Sequence, residues 1–322
     1  MSEPLSLSVE THLNGYFCAD YKSPGKTIID FTNLEPTEGV IPPVKSTVYD
    51  ARELQESEND FDSNFESSFF DKHGFVLLPH ESQVSNWDSG AYGQTDSIPV
   101  EDRNIALATG ENEIEKYYMT EVEGLISTVL LPGKNLSIDQ PNMLLRRGEN
   151  TAHPYYGLGV HNDYGVTADD FQENMEAFST PEAAERWRAQ YEDENVREFM
   201  VINFWRPVHM SSPVEHMPLG VLDARSVNLE DLVSSGLKGF ALTGKVTNQL
   251  SLRHNASQNW YYYPRMTVDE VLALKLFHID KDVSDYRFGA CYHSAFENPL
   301  APKDAEVRQS CEHRVNVFVM RD

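Results

Sequence analysis

Apolar positions change their period several times along the chain, and each period predicts a different element. Between 111 and 131, Ile114, Tyr118, Val122, Leu125, Ile126 and Val129 recur at helical spacing and predict an amphipathic helix. A second helix is expected from Thr180, with Pro181 at its first position, through a charged stretch to about residue 197. The run Thr267-x-x-Glu270 has the form of a capping box and predicts a third helix, through Val271, Leu272, Leu274 and Leu276. Elsewhere the pattern is one of short runs rich in β-branched and aromatic residues, bounded by Gly, Pro and Asn. Strands are expected at 27–31, 74–78, 142–145, 155–166, 199–205, 239–243, 259–263, 288–293 and 314–320. The acidic segment 57–68 reads as a solvated loop or a helix start.

Many short strands beside few helices predict a mainly β protein with flanking helices, built on a double-stranded β-helix, or jelly roll. No repeat or heptad is visible, and the length of 322 residues suits one domain. Residues 1–139 are expected to support a core at 140–322, with the helix at about 180–197 inserted either as a solvated excursion or as a lid.

Composition narrows the partners. A formal charge of −25 argues against nucleic acid and anionic membranes. No stretch approaches a membrane span, and the first ten residues lack both a basic region and an apolar run, so a cytoplasmic location is expected. Three cysteines, Cys18, Cys291 and Cys311, make no disulfide framework and fit a reducing compartment. The expected partner is a small molecule. A Gly-x-Ser-x-Gly elbow and a Gly-rich phosphate loop after a strand are both absent, which weakens hydrolase and nucleotide-binding readings.

The chemistry concentrates at His161-Asn162-Asp163. On a strand, positions i and i+2 share a face, so His161 and Asp163 can meet one ion. A third ligand from a distant strand, His293, would complete two imidazoles and one carboxylate, with three positions left open, the pattern of non-heme Fe(II) oxygen chemistry. About one His-x-Asp is expected by chance among 11 histidines, and a second occurs at His278-Ile279-Asp280. That one follows the helical pattern and is expected at a helix end.

Several segments fall in one order: His161-x-Asp163, Asn203-Phe204-Trp205-Arg206-Pro207, Pro218-Leu219 with Asp223-Ala224-Arg225-Ser226, Trp260 through Thr267, and His293-Ser294-Ala295-Phe296 with Pro299. Together they resemble the microbial Fe(II)/2-oxoglutarate-dependent oxygenases grouped with cephem 7-methoxylase components and gibberellin-desaturase-like hydroxylase/desaturase proteins. The resemblance covers roughly 140–320 well and the N-terminal third weakly. It implies Fe(II), 2-oxoglutarate as co-substrate and dioxygen, with oxidative decarboxylation coupled to hydroxylation, desaturation or ring closure in secondary metabolism. It leaves open a non-oxidative metal-dependent jelly-roll enzyme or a small-molecule binding module, since one fold hosts many functions.

Within that frame His161, Asp163 and His293 are the expected iron ligands. His313 rivals His293, because Ser310-x-x-His313-Arg314 is similar to the run around the distal ligand of plant-type relatives; Arg308-x-Ser310 downstream of His293 favours His293. Arg308 and Ser310 are expected to hold the distal carboxylate of 2-oxoglutarate, a guanidinium fork plus a hydroxyl. Arg314, of the same parity, is expected to meet a substrate carboxylate, such as that of an amino acid or a carboxylated intermediate, or an internal partner such as Glu312. Tyr156, Asn203 and Trp205 are expected in the pocket wall.

Overall fold

The computed structural model describes residues 8–321 apart from 24, 34, 60–61, 89–112, 141–143, 152, 242 and 285–287. Its largest sheet is antiparallel, in the order β4 (Phe75–Pro79), β12 (Glu270–Asp280), β7 (Val196–Pro207), β14 (Ser310–Met320), β5 (Leu136–Asp139), with β6 (Leu144–Arg147) also on the free side of β14. A second sheet runs β1 (Val9–Leu13), β3 (Val44–Asp50), β11 (Trp260–Tyr262), β8 (Leu219–Leu222), β13 (His293–Ala295), and a third runs β10 (Thr247–Leu252), β9 (Leu232–Lys238), β2 (Thr27–Asp30).

Alternation along β7 divides the large sheet into two different faces. Met200, Ile202 and Phe204 share one face with Val315 and Val317 of β14, in one apolar core with residues of three helices. These are α1 (Ala51–Glu58), α2 (Phe65–His73), and α3, whose central Met119–Leu125 is flanked by wider turns at Ile114–Tyr118 and Ile126–Leu130. The other face carries Phe199 and Val201 at one end, where Phe171 of α4 (Ala168–Phe178) and Trp187 of α5 (Pro181–Glu192) join them in an aromatic cluster with Phe277 and Phe318. At its other end the same face turns polar, with Asn203 and Trp205 beside Arg314 and Glu312. That polar end is the floor of the site.

Five expectations need correction. Residues 267–280 form a turn and then β12, not a helix: Thr267 N–H donates to the Glu270 carboxylate and Glu270 N–H to the Thr267 carbonyl. The near-continuous apolar run from Val271 to Phe277 reflects a strand buried on both faces between β4 and β7. His278 therefore lies on a strand, its Nε2 3.1 Å from Glu198 Oε2. Residues 239–241 and 243 fall in the connection between β9 and β10, with 242 outside the described residues, and the strand expected at 288–293 begins only at His293. The segment 155–166 has no regular ladder and is held by isolated bridges.

The helix expected from Thr180 is present as α5, capped by Thr180, and ends at Glu192 because β7 starts at Val196. Before it stands α4, with a capping box between Thr167 and Asp170. The helix expected at 111–131 is described from Glu113 and the strand expected at 142–145 from Leu144; 111–112 and 142–143 lie outside the described residues. The architecture is thus a mixed one, a curled, partly closed antiparallel sheet with α1 to α3 against one face and α4 and α5 closing one end of the other. None of the described helices is long and apolar enough to cross a membrane.

Candidate metal centre

His161 sits in an extended segment stitched on several sides. His161 and His293 exchange backbone hydrogen bonds of 3.2 and 2.9 Å, Asn162 and Leu250 exchange bonds of 2.9 Å, and Val160 N–H donates to Asn14 O. The approach of the N-terminal strand is close: a Cβ on Gly15, whose φ is +84°, would lie 2.9 Å from Gly159 Cα. Asn162 is fully buried, its Nδ2 donating to Cys291 O at 3.1 Å and its Oδ1 accepting from Tyr164 N at 3.2 Å. The middle residue of the motif is thereby the anchor, and the flanking side chains project away from it. Nothing in the sequence pattern distinguished Asn162 for this role.

His161, Asp163 and His293 bring one ligand atom each within 4.8 Å of one another, and among the described residues no other group of His, Cys, Asp and Glu does so. Asp163 Oδ1 lies 3.3 Å from His161 Nε2 and 3.7 Å from His293 Nε2. His161 Nδ1 is 2.6 Å from Gly159 O, which fixes its proton there and turns the Nε2 lone pair toward Asp163. The His161 side chain keeps 25% exposure and that of His293 only 7%, so the group is reachable from one side.

The electrostatics suit a cation. Burial, with His161 alongside, pushes His293 down to about 4, so it is neutral near pH 7 and free to donate electrons to a metal. Burial opposes ionisation of Asp163, yet Arg314 and the two imidazoles hold its carboxyl well below the usual range. For His161 the cost of burial is outweighed by Asp163, which raises it.

Arg308 is 1% exposed and among the described residues forms no salt bridge. Its guanidinium lies 4.1 Å from the Tyr156 ring centre and 5.4 Å from that of Trp205, and Nη1 donates to Met217 O. Its Nε, and the Oγ of buried Ser310, have no hydrogen-bond partner among the described residues. Burial pulls Arg308 down to about 9, against the opposing influence of Tyr156. Tyr156 OH in turn donates to Arg308 O at 2.7 Å. Asn203 is buried, its Oδ1 without a partner among the described residues, directly across the ladder from Arg314.

Arg314 has internal partners, Glu312 of the expected alternative among them. Its Nε and Nη2 donate to Asp163 Oδ2 at 2.8 and 2.6 Å, and Nη2 also to Glu312 Oε2 at 3.0 Å. The guanidinium is engaged inside the protein. His313, the rival ligand, points to the opposite face of β14, where its Nε2 meets Gln140 Oε1 at 2.9 Å and its ring faces Tyr118. Glu312 is the internal partner that the strand parity offered for Arg314, whereas the sequence pattern did not single out Arg147, which the ladder alone brings to the centre.

Comparison with known proteins agrees with this picture. Segments of 120, 121 and 126 residues are 32%, 34% and 35% identical to Aspirochlorine biosynthesis protein N of Aspergillus oryzae, the Fe(II)/2-oxoglutarate-dependent dioxygenase nvfI of Aspergillus novofumigatus and the hydroxylase/desaturase efuI of Hormonema carpetanum. Each covers 37% of this chain, and 47%, 41% and 40% of the respective relative, so the matched part is under half of their length. The expected kinship with hydroxylase/desaturase proteins is borne out. The fold matches that of the iron and alpha-ketoglutarate-dependent endoperoxidase NvfI, with a TM-score of 0.63 at 22% identity over 98% of this chain and 99% of that one. A variant of that enzyme gives 0.65 at 21% identity over the whole of both chains. Residues 26–318 match one family throughout, and the chain belongs to that family, described as the Oxidoreductase/YMDC permease-like domain.

Proposed function

We propose that the protein is an Fe(II)/2-oxoglutarate-dependent oxygenase acting on a C–H bond of a small molecule in secondary metabolism, on a single domain whose facing sheets form a double-stranded β-helix. The observation that carries the reading is a coincidence on one sheet face. Two imidazoles and a carboxylate converge there, and a buried guanidinium and hydroxyl with no acid of their own lie on the same face. The donor set fits Fe(II), since nitrogen and carboxylate oxygen ligands with open positions are its preferred surroundings. A buried Arg without a counterion is costly, and a carboxylate brought by a ligand relieves that cost.

In this reading His161, Asp163 and His293 hold the metal. Arg308 grips the distal carboxylate of 2-oxoglutarate by its fork, Ser310 adds a hydroxyl donor, and Tyr156 and Trp205 keep the guanidinium flat between them. Fe(II) bound there supplies the activation of dioxygen, coupled to decarboxylation of the 2-oxo acid to succinate and carbon dioxide. The protein's contribution is orientation and exclusion of water. With Arg314 engaged by Asp163, the case for a substrate carboxylate loses its support. The rim of the metal segment carries exposed Tyr155 and Leu158, at 53% and 43%, which suits a carbon skeleton held by shape. The free thiols of Cys18, Cys291 and Cys311 fit a reducing, cytoplasmic setting.

Anaerobic titration of the protein with Fe(II) and then 2-oxoglutarate tests the reading. The expected result is a visible charge-transfer band that requires both, and succinate formation on admitting oxygen. Fe(II) binding without any effect of 2-oxoglutarate would instead favour a non-oxidative metal enzyme.

A further inference from the structure

Four charged side chains alternate in sign across the floor of the site. Arg147 Nε donates to Glu312 Oε1 at 2.7 Å, Arg314 Nη2 donates to Glu312 Oε2 at 3.0 Å, and Arg314 Nε and Nη2 both donate to Asp163 Oδ2. Glu312 is 6% exposed, and the chain of charges is neutral in sum, so each member offsets the burial of the next. The register explains the alignment. Glu312 and Arg314 lie two apart on β14 and share a face, opposite Trp205 and Asn203, while Arg147 reaches in from β6.

The two oxygens of Asp163 are therefore not equivalent. Oδ2 belongs to Arg314, whereas Oδ1 looks toward both imidazole Nε2 atoms. We infer that Arg314 and Glu312 are positioning residues that reserve Oδ2 for the protein and leave Oδ1 alone to meet the metal, an inference that rests on the oxygenase reading above. The consequence is the count of open positions. A carboxylate with both oxygens free can close onto a metal through both, and would then take a position that the chelating 2-oxo acid or dioxygen needs. Arg is the residue for this task, because its planar fork spans two carboxylates at once, which a single ammonium does not do in the same geometry. Glu312 holds the far side of the fork, and Arg147 holds Glu312.

The test compares wild type, R314Q, R314K and E312Q loaded with Co(II), with His161→Ala as the control for the site. Three signals are read: Co(II) stoichiometry, the infrared splitting between the carboxylate stretches in loaded-minus-free difference spectra, and the affinity for 2-oxoglutarate. All four proteins should take up one Co(II) per chain. R314Q should show a narrowed carboxylate splitting before any 2-oxoglutarate is added, and then bind 2-oxoglutarate at least tenfold more weakly. R314K and E312Q should move the same way by less, and R314K stands in if R314Q does not fold. Unchanged splitting in R314Q and R314K overturns the inference, and does so even where 2-oxoglutarate affinity falls, since Arg314 would then act on the co-substrate and not on Asp163. Loss of Co(II) from folded R314Q also overturns it, because the pair would then be required for binding itself. Failure of wild type to bind Co(II), or full binding by His161→Ala, removes the metal-centre reading and this inference with it.

Discussion

Replacing Arg308 by Met should stabilise the ligand-free protein and abolish its response to 2-oxoglutarate. Arg308 is 1% exposed, and burial lowers its guanidinium from the ordinary 12.5 to about 9, which corresponds to about 5 kcal/mol of unfavourable charge burial. The bond to Met217 O and the stacking on Tyr156 and Trp205 return roughly 1–3 kcal/mol of that cost. A Met of similar reach removes the penalty and keeps the apolar packing, so the variant should be more stable than wild type by about 2–4 kcal/mol. The sign in pH follows. The folded value lies below the unfolded one, so the charge costs stability below about 9 and the cost fades as pH rises toward 12.5. The advantage of Arg308→Met should accordingly be full at pH 7 and narrow above pH 9.

Ligand binding should move the opposite way. Losing a buried guanidinium–carboxylate pair costs about 2–5 kcal/mol, or roughly 30- to 5,000-fold in affinity for 2-oxoglutarate. Thermal unfolding of the metal-loaded proteins reads both effects. At a concentration of 2-oxoglutarate near 100 times the wild-type Kd, wild type gains about 2.7 kcal/mol and the variant less than about 1 kcal/mol. Arg308→Lys, which keeps the charge without the fork, should retain the penalty and lose most of the gain. A variant Arg308→Met that melts several degrees lower than wild type yet keeps its 2-oxoglutarate shift would refute the reasoning, and Arg308 would then be a structural cation.

Three further outcomes are expected. Alanine at His161, Asp163 or His293 should each lower metal content of the reconstituted protein at least tenfold, whereas His313→Gln, on the far face of β14, should leave it intact; elemental analysis decides. Although burial alone would raise it, His73, its Nδ1 3.2 Å away, and the hydrogen bonds from Arg225 hold Asp223 down to about 2 against the ordinary 3.8, about 2 kcal/mol of stability. That contribution is present above pH 4 and lost as pH falls through 2, so the stability gap between wild type and Asp223→Asn, measured by urea unfolding, should close over that window. Phe171→Ala opens a cavity beneath Tyr164, Trp187 and Phe199 and should cost about 3–5 kcal/mol. Since Tyr164 follows Asp163 directly, metal affinity should fall as well, and calorimetric titration with Co(II) reads that change.

The legible parts of the fold were those where local pattern and tertiary burial coincide. The helix at α3 shows its period because one side faces the sheet, and α5 announces itself by Thr180 and Pro181. The misreading of 267–280 has a physical origin. A strand buried on both faces loses the alternation that identifies strands, and Thr267 with Glu270 makes the same hydrogen bond in a turn that a capping box makes in a helix. The metal segment illustrates the converse. Strand composition around His161 pointed to a face shared by His161 and Asp163, and the two side chains do converge, yet the segment has no ladder of its own. Parity survives because the isolated bridges at Gly159, His161 and Asn162 keep the backbone extended locally. Pairings over long separations stayed hidden. Nothing in the spacing of Arg147, Glu312, Arg314 and Asp163 announces that one guanidinium would be claimed by a carboxylate 151 positions away.

The strongly negative chain and its cation-lined site are reconciled by that same network. A net charge of −25 opposes the collection of an acidic co-substrate, so cations at the site must be both concentrated and free to act. Of Arg147, Arg308 and Arg314 at the floor, Arg147 and Arg314 are neutralised by Glu312 and Asp163, and Arg308 lacks an acid among the described residues. The neutralised pair costs little to bury and shapes the carboxylate that faces the imidazoles. Arg308 keeps most of its burial penalty, and under the proposed function the distal carboxylate of 2-oxoglutarate would relieve it. On that proposal, selectivity for a 2-oxo diacid needs no positive field over the surface. It follows from one unmet guanidinium with a hydroxyl beside it, on the sheet face to which the imidazoles turn their Nε2 atoms.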